Sequence, residues 1–160
     1  ALMGNPKLII ADEPTPGMDL ELAKKSMKDF RRFADEGNGV LLITHDIELA
    51  LHVADRIVVF YAGKTVEEAP VSDFDSEETL RHPYTKALWR ALPQNGFVPL
   101  AGVQPYVKDM PEGCPFGPRC GWYQERCREE IPMVQAGCGS VRCIRYCASE
   151  KNKFQEEAKS

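Results

Sequence analysis

Two short apolar runs, Leu8-Ile9-Ile10-Ala11 and Val40-Leu41-Leu42-Ile43, bracket a segment whose apolar residues recur in steps of three and four. Unbroken apolar runs of this length read as strands buried on both faces of a parallel sheet. Between them Leu20, Ala23, Met27, Phe30 and Ala34 form one stripe, so a helix is expected over 18–36. Gly37 ends it in the left-handed conformation of a C-cap. The second strand runs on to Thr44. Asp46 caps a short helix through Val53. Arg56–Tyr61 reads as a third strand, turned by Gly63 into a fourth at Thr65–Glu68. Strands alternating with helices imply βαβ crossovers, hence an α/β fold with a parallel sheet. Such sheets bind ligands beyond the carboxyl ends of their strands. Asp12, Glu13 and His45 fall there.

The character changes after Pro70. Residues 71–113 read as a helical segment and linker: a helix begins with Pro83 in its first turn and is stopped by Pro93, and prolines and glycines crowd 94–113. Residues 114–150 form a cysteine-rich region, expected to be small and irregular. The last ten residues are polar and are expected to fray. The chain thus divides into 1–70, 71–113 and 114–150.

Formal charge is −4 and the pI about 5.5. A nucleic-acid binder shows a basic stripe; here Lys24, Lys25, Lys28, Arg31 and Arg32 cluster at one place, as on a solvated helix face. No nucleic-acid partner is expected. Neither apolar run approaches the roughly 20 residues that span a bilayer, and no basic-then-apolar leader opens the chain. The opening Ala1-Leu2-Met3-Gly4 reads as a piece of a longer chain.

Asp12-Glu13 closes an apolar strand. In P-loop NTPases an Asp so placed holds Mg²⁺ at the β- and γ-phosphates, and a following Glu can polarise the attacking water. Two adjacent acids are, by themselves, as readily two solvated loop residues. The neighbouring motifs decide. Ile10-Ala11-Asp12-Glu13-Pro14-Thr15 resembles the Walker B segment of ABC ATPases, Met18-Asp19 the end of the D-loop, and Thr44-His45-Asp46 the H-loop, in order and at the family's spacing. Ala54–Val59 and Tyr61–Lys64 resemble the family's next strand and turn. Arg81-His82-Pro83-Tyr84-Thr85-Lys86-Ala87-Leu88 resembles a segment of the oligopeptide, dipeptide and nickel importer subfamily.

The resemblance implies the C-terminal part of a P-loop NTPase core with a cysteine-rich extension. Asp12 would help bind Mg²⁺ of an ATP complex, Glu13 would act as base or water-orienting group, His45 would contact the γ-phosphate, and Asp19 would touch the opposite ATPase subunit. It also implies transmembrane permease partners and a place on the cytoplasmic face of the cell membrane. Pro16-Gly17-Met18-Asp19 departs from the family's D-loop, which puts the geometry of that loop at issue. No G-x-x-x-x-G-K-S/T occurs, so the phosphate cradle is missing and this stretch is expected neither to bind nor to hydrolyse ATP alone. The missing strands should leave unpaired sheet edges, which recruit other chains by oligomerisation or swapping.

All six cysteines lie between Cys114 and Cys147. Cys114, Cys120, Cys127 and Cys143 resemble the subfamily's cysteine signature, which in some members ligates a 4Fe–4S cluster. Four thiolates suit either such a cluster or Zn²⁺. The C-x₅-C spacing is wider than the two to four residues usual in zinc sites, and disulfides or free thiols stay open. Cys138 and Cys147 are spare. A region this small has too little core to fold unaided. The competing functional reading is a cysteine-rich metal-binding or regulatory module attached to a vestigial ATPase remnant.

Overall fold

The computed structural model describes residue 4 and residues 6–147; the expectation for the last ten residues lies outside them. The chain divides into two compact units, one up to Asp55 and one from Arg56 on.

In the first unit, β1 (Leu8–Asp12) pairs in parallel with β2 (Gly39–Ile43), Leu8 opposite Gly39 and Asp12 opposite Ile43. Helix α1 (Leu20–Asp35) makes the crossover between them. It begins where the Asp19 side chain accepts from the Leu22 N–H at 2.9 Å. It ends at Gly37, which turns at φ 85° as its position required. Among the described side chains of α1, Met27 and Phe33 are buried, as is Ala11 in β1. Helix α2 (Ile47–Val53) starts on Asp46, whose carboxylate accepts from Leu49 N–H at 3.0 Å. Arg31 ties the two helices, reaching Asp35 at 2.6 Å, Asp55 at 2.9 Å and the Val53 carbonyl at 3.3 Å.

Two expectations for the strands are corrected. The apolar runs are not buried on both faces: Leu8 (56%), Ile10 (62%), Leu41 (51%) and Ile43 (46%) stay exposed on one side. The parallel sheet does not continue through residue 68 either. β3 (Arg56–Tyr61) and β4 (Lys64–Pro70) are joined by Ala62 and Gly63 alone, at φ 48° and 79°. A two-residue link with both φ positive forces an antiparallel hairpin.

That hairpin belongs to the second unit, in a sheet of order β3-β4-β6-β5. β5 (Val134–Ala136) and β6 (Gly139–Val141) form another hairpin, and β6 pairs with β4 through Glu67–Val141 and Glu68–Ser140. The cysteine-rich stretch, expected to be irregular, thus contributes two strands. Gly139 makes the pairing possible, because a Cβ there would lie 2.3 Å from the Glu68 carbonyl oxygen. Helix α3 (Pro83–Arg90) follows His82 as N-cap, with Pro83 in its first turn.

A fully buried carboxylate organises this unit. Glu67 accepts from the backbone N–H of Arg81 at 2.9 Å and of His82 at 2.7 Å, and pairs with the Arg81 guanidinium at 3.3 Å. Arg81 also meets Asp73 at 2.7 Å and donates to the Ala136 carbonyl at 2.6 Å. A buried charge persists only when paired and hydrogen-bonded in this way. No described helix is long and apolar enough to cross a membrane.

Candidate functional site

Because β1 and β2 are parallel neighbours, their carboxyl ends meet at one rim, and the segments just beyond them carry the sequence-predicted trio. The Glu13 N–H donates to the Ile43 carbonyl at 2.9 Å, extending the pairing by one residue. Glu13 is then held at φ 44°, a left-handed conformation that a residue with a Cβ adopts only at a cost of about 1–2 kcal/mol. Its Oε1 accepts from the His45 backbone N–H at 3.1 Å and lies 2.9 Å from His45 Nδ1. This contact raises the His45 pKa above its ordinary 6.5, through the hydrogen bond first and the carboxylate charge second. Glu13 Oε2 is buried with no hydrogen-bond partner. Asp12 is exposed at the end of β1. The rim therefore offers an exposed carboxylate, a second carboxylate fixed on one oxygen, and an imidazole.

Asp19 is not gathered with them. Its carboxylate caps α1, a structural task that the sequence reading missed. The signal was available: an Asp preceding an amphipathic stretch is a good N-cap.

In the second unit, Cys114, Cys120, Cys127 and Cys143 all line one small cavity of about 10 Å³, together with His82, Trp122, Ile131 and Ile144. All six cysteines of the chain are free thiols. Cys114, Cys120 and Cys127 also border a wider cleft of about 560 Å³ with Tyr123 and Arg128. Burial raises the thiol pKa values of Cys114, Cys120 and Cys143, the last to about 12. Against burial, each of these three sulfurs is favoured as thiolate by the backbone N–H two residues on, from Phe116, Trp122 and Arg145 respectively. Cys114 N–H donates to the Cys127 carbonyl at 2.8 Å, drawing the two segments together. Gly113 permits that approach, since a Cβ there would lie 2.1 Å from the same carbonyl oxygen. Lys64 clamps the turn by donating to the Glu112 and Gly113 carbonyls at 3.3 and 3.0 Å.

Of the spare cysteines, Cys138 is exposed, and Cys147 packs on the Cys127–Ile131–Ile144 cluster while its thiol reaches the Cys143 carbonyl at 3.8 Å. Among the described residues, no three or more His, Cys, Asp or Glu side chains are grouped to hold a single metal ion. The cavity that the four thiols line has room for about one water.

Residues 66–127 match the family described as oligopeptide/dipeptide transporter, C-terminal region. A putative peptide import ATP-binding protein of Brucella ovis is 35% identical over 91% of this chain and 47% of its own length. The dipeptide transport ATP-binding protein DppD of Haemophilus influenzae is 39% identical over 89% of this chain and 45% of its own. Residues 66–127 thus resemble the C-terminal region of oligopeptide/dipeptide transporters, and about nine-tenths of the chain is similar to proteins named as ATP-binding proteins of peptide import or dipeptide transport. The chain spans about half the length of the curated relatives it matches.

Proposed function

We propose that this chain is part of an ABC-type ATPase subunit that couples ATP hydrolysis to uptake of oligopeptides, dipeptides or a related solute. Its working place is the cytoplasmic face of the membrane, beside a second ATPase subunit and two permeases. The relatives' names favour peptides over nickel as cargo. The observation that carries the reading is the Glu13–His45 contact across two adjacent parallel strand ends.

In this reading Asp12 serves Mg²⁺ through water. Glu13 uses its unpartnered Oε2 to orient the attacking water, while its Oε1 stays fixed by His45. His45 then presents its other ring nitrogen to the γ-phosphate, and the raised pKa favours a cationic ring beside that anion. Asp19 reaches the opposite subunit from its place as the N-cap of α1. These residues fit the metal and water side of a nucleotide site. The phosphate cradle is not in this sequence, so the chain alone should show no ATP binding by calorimetry. In the longer subunit with its partner, Glu13→Gln should cut turnover by about 10²-fold or more. Wild-type turnover in that variant would refute the role of Glu13 and favour a metal-binding module with a vestigial ATPase remnant.

The four cavity-lining cysteines are proposed to hold a 4Fe–4S cluster. The donor types fit, with four thiols, three of them with an N–H set toward sulfur, but the cavity of about 10 Å³ has room for about one water, so loading would have to part the loops that carry them. Neither a cluster nor a single Zn²⁺ finds its ligands already gathered, since among the described residues no three are grouped to hold a metal ion. When bound, such a group supplies one-electron chemistry and cross-links the loops. The residues' own part is to shed thiol protons, exclude water and donate N–H groups to sulfur. Iron and acid-labile sulfide should co-purify anaerobically and disappear in Cys143→Ser. Stoichiometric zinc instead would overturn the cluster.

A further inference from the structure

Cys114 and Cys127 are joined through their backbone, the N–H of the first donating to the carbonyl of the second at 2.8 Å. Across such a bond the two Cα atoms lie no more than about 6.7 Å apart. That is short of the roughly 7 Å beyond which two cysteines cannot be bridged without backbone movement. Both side chains line the cavity with room for about one water, so the two thiols converge on one small space. Cys114 also packs on the apolar cluster of Cys127, Ile131 and Ile144. Neither sulfur is easily carried away. The Cys114 carbonyl accepts the Gly117 N–H at 3.0 Å, and the Cys127 N–H donates to the Gln124 carbonyl at 2.9 Å. The rest of the wall is fixed as well: Glu67 takes the His82 backbone N–H at 2.7 Å, and the His82 and Phe116 rings lie 6.0 Å apart, centre to centre. Small reagents reach the pair from one side. Cys114 and Cys127 both border the open cleft of about 560 Å³, whereas Cys143 lines the cavity and not the cleft.

We infer that Cys114 and Cys127 are a redox-active pair that a peroxide closes into a disulfide. One sulfur, as thiolate, attacks the peroxide: an S–O bond forms, the O–O bond breaks and hydroxide leaves, giving a sulfenic acid. The second sulfur then displaces that hydroxyl: the S–S bond forms, the S–O bond breaks, and water leaves with the second thiol's proton. Two cysteines are oxidised and one hydrogen peroxide is reduced to two waters. Burial raises the Cys114 thiol, so thiolate is scarce at neutral pH and the reaction is slow. The bond needs no room for a bound group, only the approach of two sulfurs that already share one wall. It does not rest on the cluster proposed above and excludes it, because the same two sulfurs would serve both.

Cys138 is exposed and would link copies of the chain, so the test is made in Cys138→Ser. That chain is reduced, stripped of metal with a chelator under argon and treated with hydrogen peroxide; free thiols are counted and non-reduced tryptic peptides weighed. Arg119, Arg126, Arg128, Arg142 and Arg145 put each cysteine on a tryptic peptide of its own, so a bond names its partners. Two thiols should be lost, the peptide with Cys114 should be joined to that with Cys127, and dithiothreitol should restore both. Adding Cys120→Ser should leave the bond in place, and adding Cys127→Ser should abolish it. A dominant bond from either residue to Cys120, Cys143 or Cys147 would overturn the inference, as would oxidation that stops at sulfinic acid on either. Iron or zinc that survives the chelator and protects both thiols would overturn it too, and would favour a bound metal. The mapping is read on the chain with both cysteines present, so it stands whether or not Cys127→Ser folds. An unbridged pair in the metal-free chain leaves the cluster reading untouched, so the two proposals fail separately.

Discussion

The rim beyond β1 and β2 and the cavity beneath α3 solve opposite problems. At the rim the working groups are exposed or half-exposed, and few contacts inside the unit hold them: one carboxylate oxygen, one backbone N–H and one imidazole. Around the cavity, the thiols and His82 are fixed by a buried ion pair, a lysine clamp and two glycine-dependent close approaches. A site that needs partners from elsewhere can stay open, since the incoming groups complete its electrostatics. Thiols packed around a small cavity are instead kept in place by walls that the same unit supplies.

Three measurements would break or sharpen that contrast. The largest effect is expected from Glu67→Ala, which takes one of two carboxylates from the nearly buried Arg81, leaving it Asp73, and removes the acceptor of two backbone N–H groups. Breaking a buried pair costs about 3–5 kcal/mol, read as a drop in stability of the second unit in urea. A cost below ~1 kcal/mol would show that the wall of the cavity does not depend on this carboxylate. Asp19→Ala should cost the first unit about 0.5–2 kcal/mol through loss of the α1 cap. The smallest effect concerns His45. Its folded pKa lies above 6.5, so the Glu13 contact stabilises the fold fully below pH 6.5 and is lost as pH rises through the folded value. A proton NMR titration should find His45 above 6.5 and returning toward it in Glu13→Gln. An unchanged midpoint would mean that the contact does not persist in solution.

The rim was legible in the sequence because it is built from local signals. Apolar runs mark β1 and β2, Asp46 announces α2, and Gly37 closes α1. Asp19 shows the limit of reading by motif, since a residue assigned to a partner also has a task in its own helix. The cavity was half legible. Cys114, Cys120, Cys127 and Cys143 were marked by their resemblance to a cysteine signature and do line one space. The β4–β6 pairing was hidden, because Glu67 and Val141 are far apart in the chain and β6 has three residues without alternation. His82 read as a helix start, which it is. Its burial against the thiols arises from Glu67 and Phe116, neither of which any local pattern connects to it.

The uncovered side of the two-stranded sheet has a practical result for whoever handles this polypeptide. Leu8, Ile10, Leu41 and Ile43 make a greasy strip on adjacent extended segments, the kind of surface that chaperones bind and quality-control proteases find. Salt should do little to quieten it, and a mild detergent should do much more, because water's aversion to hydrocarbon rather than charge drives it.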